Sequence, residues 1–476
     1  MAIVKSEIAP QMFYYFEEIC KIPHGSGNEK QIADYLCTFA EERGLDFYRD
    51  EENNVLIKKN GTAGRENQEP VLLQGHTDMV CEKLPESDHD FLRDPLKLYV
   101  KDGWLAAEGT TLGADDGIAV AAMLAILDGA MASHPPLECL FTTSEETGMN
   151  GVIAFDFSKV RARRMLNLDS ASEGEVVCGC AGGVRSEITL AGEKKTVEGE
   201  ALCISLSGLC GGHSGEDINR GLANANRLMG RILLAIRAEM PVHIVSVKGG
   251  SKDNAIPRDC TAVLVVEDGF CARVIAEDEA KNIADELAAA DAEFACRVSE
   301  CESAPAWSAD LSARILAAIA NAPCGVIEMS RDAEGLVEWS SNLGVIATEG
   351  ESITLSFLSR STIEARIDHT IRVFDALALA VGGKAEHHSR YTGWNYVKES
   401  ELRERYLGTF RGLFGKDAKP IIIHAGLECG LIRAKVPDMD MISIGPETLG
   451  LHSPTERMNI ASAERFWQIL NGMLCW

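Results

Sequence analysis

Three short apolar runs in the first third of the chain each lead into residues that can bind a metal or move a proton. Val71–Leu73 leads into Gln74-Gly75-His76-Thr77-Asp78, Leu137–Phe141 into Thr143-Ser144-Glu145-Glu146-Thr147-Gly148, and Met165–Leu168 into Asp169-Ser170. Apolar runs this short, bounded by polar residues or glycine, read as buried parallel strands. Helical spacing of apolar residues occurs from about Ile8 to Ile22 and from Glu29 to Gly44. Gly117–Gly129, rich in Ala, Ile, Leu and Met, reads as a buried helix. The alternation predicts an α/β domain with a mostly parallel sheet flanked by helices. Such sheets gather their functional groups at the carboxyl ends of the strands.

At 476 residues the chain is too long for one core, because cores stop growing at roughly 250–300 residues. Its middle also changes character. From about Ala201 to Val298 the signals run strand, helix, strand, strand, helix, strand, and a weaker copy follows from about Leu311 to His388. Ser251-Lys-Asp-Asn-Ala-Ile is echoed by Ser341-Asn-Leu-Gly-Val-Ile. The expectation is an inserted α+β domain at 182–389 with two similar lobes, about 200–300 and 305–389. It interrupts a domain made of 1–181 and 390–476. Ile421–Ile423 and Met441–Ile444 look like strands that return to the first sheet.

Lys and Arg number 46 against 72 Asp and Glu, a net charge of −26. A surface this acidic repels phosphate backbones and anionic lipid, which argues against nucleic-acid and membrane partners. The start lacks a basic stretch followed by an apolar one, and the longest apolar run, Ile118–Leu127, is far short of the ~20 residues that span a bilayer. The 15 cysteines are odd in number and scattered, as free thiols in a reducing cytoplasm would be. Cys178 and Cys180 have no second Cys/His pair beside them and read as small buried residues.

Read singly, the chemistry-bearing motifs have ordinary explanations. His76 after a strand can be structural, and the adjacent Asp115 and Asp116 can cap the helix that follows. In the functional reading one of these two carboxylates bridges two metal ions while Asp116 serves as the cap. Asp78 is placed to hydrogen-bond the second ring nitrogen of His76. Glu145 and Glu146 are costly at a buried strand end unless cations compensate them. Glu146 would then ligate an ion, and Glu145 would act as general base on the attacking water. His452 lies in a Gly/Pro-rich loop after Met441–Ile444. Together His76, Asp115, Glu146, Asp169 and His452 make an imidazole and carboxylate set suited to zinc, manganese or cobalt.

These motifs resemble the M20 metallopeptidases, and within them the aminoacyl-histidine dipeptidases. The resemblance runs essentially end to end through LQGHTDMV, EGTTLGADDGI, TSEETGM, GCAGG, GGHSGEDINRGLANANRL, NAIPR, EGLVEWSSNLGVI, IIHAGLECGL and MDMISIGP followed by HSP. It implies a two-zinc hydrolase of small peptides with a free carboxylate, including Xaa-His dipeptides. In it His76 and Asp169 hold one ion, Glu146 and His452 the other, and Asp115 bridges. Glu145 is the general base and Asp78 orients His76. The inserted domain becomes a lid whose His213, Asn254 and Arg360 hold the substrate's carbonyl oxygen and carboxylate. His424–Glu428 lines the substrate pocket without an assigned step. The assembly stays open between a self-sufficient chain and a homodimer. Other amide hydrolases with this site (tripeptidase, aminoacylase, carboxypeptidase) and a non-catalytic peptide binder are the alternatives.

Overall fold

The structure is a computed structural model that describes residues 2–287, 290–331 and 335–475. Glu334, the first residue of the EGLVEWSSNLGVI motif, lies outside the described residues. The chain divides into two compact units. One comprises Met1–Gly179, Trp394–Ile422 and Leu427–Trp476, and the other Cys180–Gly393 with Ile423–Gly426.

The first unit is built on an eight-stranded sheet, bearing out the α/β expectation. Its strands run in the order Asp46–Arg49, Val55–Lys59, Leu137–Thr142, Val71–His76, Arg164–Asn167, Asp440–Ser443, Glu175–Cys180, Lys419–Ile423. The four central strands, from Leu137–Thr142 to Asp440–Ser443, are mutually parallel, and antiparallel strands flank them. The central strands are buried at nearly every position, polar residues included, as strands of a parallel sheet covered on both faces are. Asp440–Ser443 comes from the far end of the chain and pairs with Arg164–Asn167, so the two ends of the chain share one sheet. The helix Ala114–Leu127 is buried almost throughout, as its uniformly apolar sequence requires. Phe16 and Ile19 of the helix Pro10–Ile19 lie against Gly117, where a Cβ would already stand 3.3 Å from each. Leu124 in this core is fully buried. Leu124→Ala should cost about 2–5 kcal/mol, read as a lower denaturant midpoint with an unchanged slope.

A second, four-stranded antiparallel sheet in this unit escapes the sequence reading. It orders Thr448–Leu449, Arg457–Asn459, Trp104–Ala107 and Leu98–Lys101. Strands of two to four residues leave too short a pattern to read.

The second unit has a nine-stranded sheet with helices Ala225–Glu239, Gly269–Leu287, Ala309–Asn321 and Glu364–Val381. Apart from the two-residue strands Gly212–His213 and Ala255–Ile256, residues 200–300 follow the expected order of strand, helix, strand, strand, helix, strand. The later half runs helix, three strands, helix, strand from Ala309 to Tyr391, and the halves join in one sheet where Gly249 pairs with Ile346. The echo between Ser251 and Ser341 does not mark equivalent positions. The first segment is a turn ending in the two-residue strand Ala255–Ile256, whereas the second lies inside the long strand Val337–Glu349. Ile423–Gly426 joins this unit because Ala181 N–H donates to the carbonyls of Ile423 and Ala425, both at 3.1 Å. All 15 cysteines are free, and no helix among the described residues is long and apolar enough to cross a membrane.

Candidate metal centre

Parallel register brings the strand ends together. His76 pairs with Thr142 and Gln74 with Asn167, so His76, the Glu145-Glu146 turn and Asp169 emerge side by side. Asp115 enters from the start of the helix Ala114–Leu127, and His452 from the loop between Leu449 and Arg457.

Asp115 stands between the two imidazoles. Its Oδ1 is 3.0 Å from His76 Nε2 and its Oδ2 is 3.3 Å from His452 Nε2. Each imidazole has a further carboxylate: Asp169 Oδ1 lies 3.9 Å from His76 Nε2, and Glu146 Oε1 lies 2.9 Å from His452 Nε2. That last contact lacks hydrogen-bond geometry, leaving a buried oxygen without a hydrogen-bond partner. Potential ligand atoms cluster within 4.8 Å in three sets: His76 with Asp116 and Asp169, His76 with Glu145 and Glu146, and Asp115 with Glu146 and His452.

Asp116 is not a helix cap. The N-cap is Gly113, without a side-chain cap, and Asp116 Oδ2 instead accepts the backbone N–H of His76 at 3.2 Å. Gly75 makes room for it, since a Cβ there would stand 2.5 Å from Asp116 Oδ2. Asp78 also differs in detail from expectation. The hydrogen-bond partner of His76 Nδ1 is the Asp78 carbonyl at 2.9 Å, with the carboxylate farther away at 3.5 Å. The carboxylate serves the acidic turn instead, accepting Glu145 N–H at 3.0 Å, Glu146 N–H at 3.3 Å and Ser26 Oγ–H at 2.8 Å. With Nδ1 donating to a carbonyl, Nε2 of His76 is the lone-pair nitrogen that faces the acids.

The electrostatics show crowded negative charge. Burial and then the neighbouring Glu146 carboxylate push Glu145 up to about 8, against the pull of His76. Burial also holds Asp169 and Asp116 well above the usual carboxylate range. Burial would lower His76, but its hydrogen bonds to Asp115 and Asp78 and the Asp169 charge raise it well above normal. The Asp115 and Glu146 carboxylates beside it raise His452 to about 10. Five carboxylates with only two imidazoles among them fit a site completed by cations.

Two supporting acids have roles that the sequence does not assign. Glu29 Oε1 accepts Gly27 N–H, Ser144 N–H and Ser144 Oγ–H at 3.0–3.2 Å, fixing the turn before Glu145. Glu428, fully buried, accepts Thr142 Oγ–H at 2.7 Å and Gln74 Nε2–H at 2.5 Å, while Asn167 donates to Gln74 at 2.7 Å. It thereby ties together three strands that end at the centre. Burial raises it to about 7. Only burial separates such residues from solvated surface acids.

The remaining candidates belong to the second unit. His213 pairs with Ala255 in a two-residue ladder next to Asn254, and its Nδ1 accepts Glu216 N–H at 3.2 Å, leaving the proton on Nε2. Arg360 is buried and donates to Tyr391 Oη at 2.7 Å. His424 meets Ser340 Oγ at 2.7 Å. Burial, with the positive charge of Arg360, holds His424 down to about 3.

Residues 72–475 match the model of peptidase family M20/M25/M40. The chain is 38% identical to the cytosol non-specific dipeptidase of Escherichia coli (strain K12), over 98% of each chain. The aminoacylhistidine dipeptidase from Vibrio alginolyticus superposes with a TM-score of 0.90 at 36% identity, covering 100% of this chain and 99% of that one. A tripeptidase from Staphylococcus aureus shares the fold at a TM-score of 0.56 and 18% identity, covering 98% of this chain and 97% of that one. Chain-long matches to the family model and to relatives this similar establish that the protein belongs to peptidase family M20/M25/M40.

Proposed function

We propose that this chain is a dipeptidase that holds two divalent ions, zinc first and manganese or cobalt as substitutes, and cleaves dipeptides with a free carboxylate, Xaa-His among them. The observation that carries the reading is Asp115 set between His76 and His452, each imidazole backed by a second carboxylate. In this reading His76 and Asp169 hold one ion, Glu146 and His452 the other, and Asp115 bridges. The names of the Escherichia coli and Vibrio relatives supply the substrate class. The first unit is the catalytic domain, and the inserted segment, 182–389 with lobes at about 200–300 and 305–389, is the lid. The free thiols and the relative named for the cytosol favour a cytoplasmic protein.

When bound, the ions supply the positive charge that acidifies the attacking water and polarises the carbonyl. The chain's own groups do the rest. The Glu145 carboxylate takes a proton from the water as its oxygen attacks the carbonyl carbon. It returns that proton to the amide nitrogen as the C–N bond breaks. Asp78 keeps the Glu145-Glu146 turn and His76 in place. His213 offers its Nε2–H to the developing oxyanion, Asn254 assists, and Arg360 grips the carboxylate.

The test is a panel of dipeptides, tripeptides and N-acylated amino acids, run on metal-free protein with zinc, manganese or cobalt added back. Dipeptides should be cleaved fastest, and only with metal. Faster turnover of tripeptides or N-acyl substrates would move the chain to another M20 activity. Binding without any cleavage would make it a peptide binder.

A further inference from the structure

Glu456 lies four residues beyond His452, in the same loop, and is almost fully buried. Its Oε2 accepts the N–H groups of Leu112 at 2.8 Å and Gly113 at 3.1 Å; its Oε1 accepts Ala114 at 2.9 Å and Asp115 at 3.4 Å. One carboxylate thus gathers four successive backbone N–H groups from the turn that presents Asp115. No Lys or Arg forms an ion pair with it among the described residues. The His452 loop is itself closed at its base, where Thr448 pairs with Met458 and Glu456 N–H bonds Ser453 O at 3.0 Å. The strand that follows pairs with Trp104–Ala107, which leads into the Asp115 turn.

We infer that Glu456 is a positioning residue that locks the Asp115 turn to the His452 loop, so that the two side chains reach the second ion as one unit. The inference rests on the two-ion reading. A neutral capping residue could satisfy one or two of these N–H groups. Only a carboxylate, with two acceptor oxygens, meets all four and also suits the positive end of the helix. Glu456→Gln keeps one oxygen but turns an NH2 toward two backbone donors. The turn must then shift, and Asp115 shifts with it. Loss of such a supporting partner typically weakens metal affinity about 10–100-fold.

The experiment titrates metal-free protein with zinc in competition with a chromophoric chelator, for the native chain and for Glu456→Gln. Native protein should bind two ions, and Glu456→Gln should bind the weaker one about 10–100-fold less tightly. Its dipeptidase rate should climb back toward the native rate as free zinc is raised, a recovery that a purely structural defect would not show. Glu456→Asp, which retains the charge on a shorter arm, should fall between the two. If the native chain fails to bind two ions, the two-ion reading fails; if it binds two and Glu456→Gln matches it at both steps, the role of Glu456 fails. Should the Gln variant not fold, hydrogen exchange on the metal-free native chain decides. Slow exchange across Leu112–Asp115 supports the lock, and fast exchange overturns it.

Discussion

Glu145→Gln is expected to lower the dipeptide turnover number by about 10²–10⁴-fold while leaving KM and metal content near native values. The substitution is nearly isosteric, and the turn that carries Glu145 is held by bonds to its backbone rather than to its side chain. Asp78 accepts the N–H groups of Glu145 and Glu146, and Glu29 accepts those of Ser144. The amide therefore occupies the same place but cannot take the water's proton. Glu145 makes no ion pair with either imidazole, whereas Glu146 meets His452. That difference supports the proposed division, with Glu145 as base and Glu146 as ligand. Steady-state kinetics together with metal analysis of the same preparation checks the prediction. A variant that loses its metal along with its activity would make Glu145 a ligand, and undiminished turnover would remove its role.

Asp115→Ala should have the other large effect, on binding itself. Among the described residues Asp115 is the one carboxylate within ion-pair distance of both imidazoles, so its removal should loosen both ions and abolish activity at ordinary metal concentrations. Thermal unfolding offers an independent readout. A ligand that binds only the folded state stabilises it by about 2.7 kcal/mol at a hundredfold excess over Kd. The native chain should show the corresponding rise in Tm on adding zinc, and Asp115→Ala should show little or none. Asp116→Asn is the contrast. Asp116 is bonded to the His76 backbone, so this change should disturb the site less than loss of Asp115.

The parts of this site legible in the sequence are those tied to regular strands. His76, Glu145, Glu146 and Asp169 follow apolar runs whose lengths mark buried parallel strands, and the structure sets those strands side by side in register. Asp115 and Asp116 were distinguishable as a pair but not in detail. An acid at the start of a helix suggests a cap, yet Asp116 turns to the His76 backbone because Gly75 leaves it space. The roles of Asp78 were likewise half visible. Its place two residues after His76 was plain, but its carboxylate serves a turn 67 residues away, which no local pattern reports. Glu456 is the extreme case. It lies 344 residues from the Leu112 N–H it accepts, in a loop between strands too short to register as a sheet, and an acid in a Pro-containing loop looks solvated until the fold closes over it. The roles of Glu428 and Glu29 were hidden in the same way. Tertiary contact, not local periodicity, makes them part of the centre.

The central claim is that Asp115 joins two metal positions into one catalytic centre. Its most direct measurement is the metal content of the purified chain alongside its dipeptidase rate, before and after chelation and after stepwise return of zinc. The account predicts about two ions per chain at full activity, almost none of the rate in the stripped protein, and recovery that is complete only as the second equivalent is added. Full dipeptide turnover by the stripped chain, or saturation at one ion with the second position never filled, would contradict it.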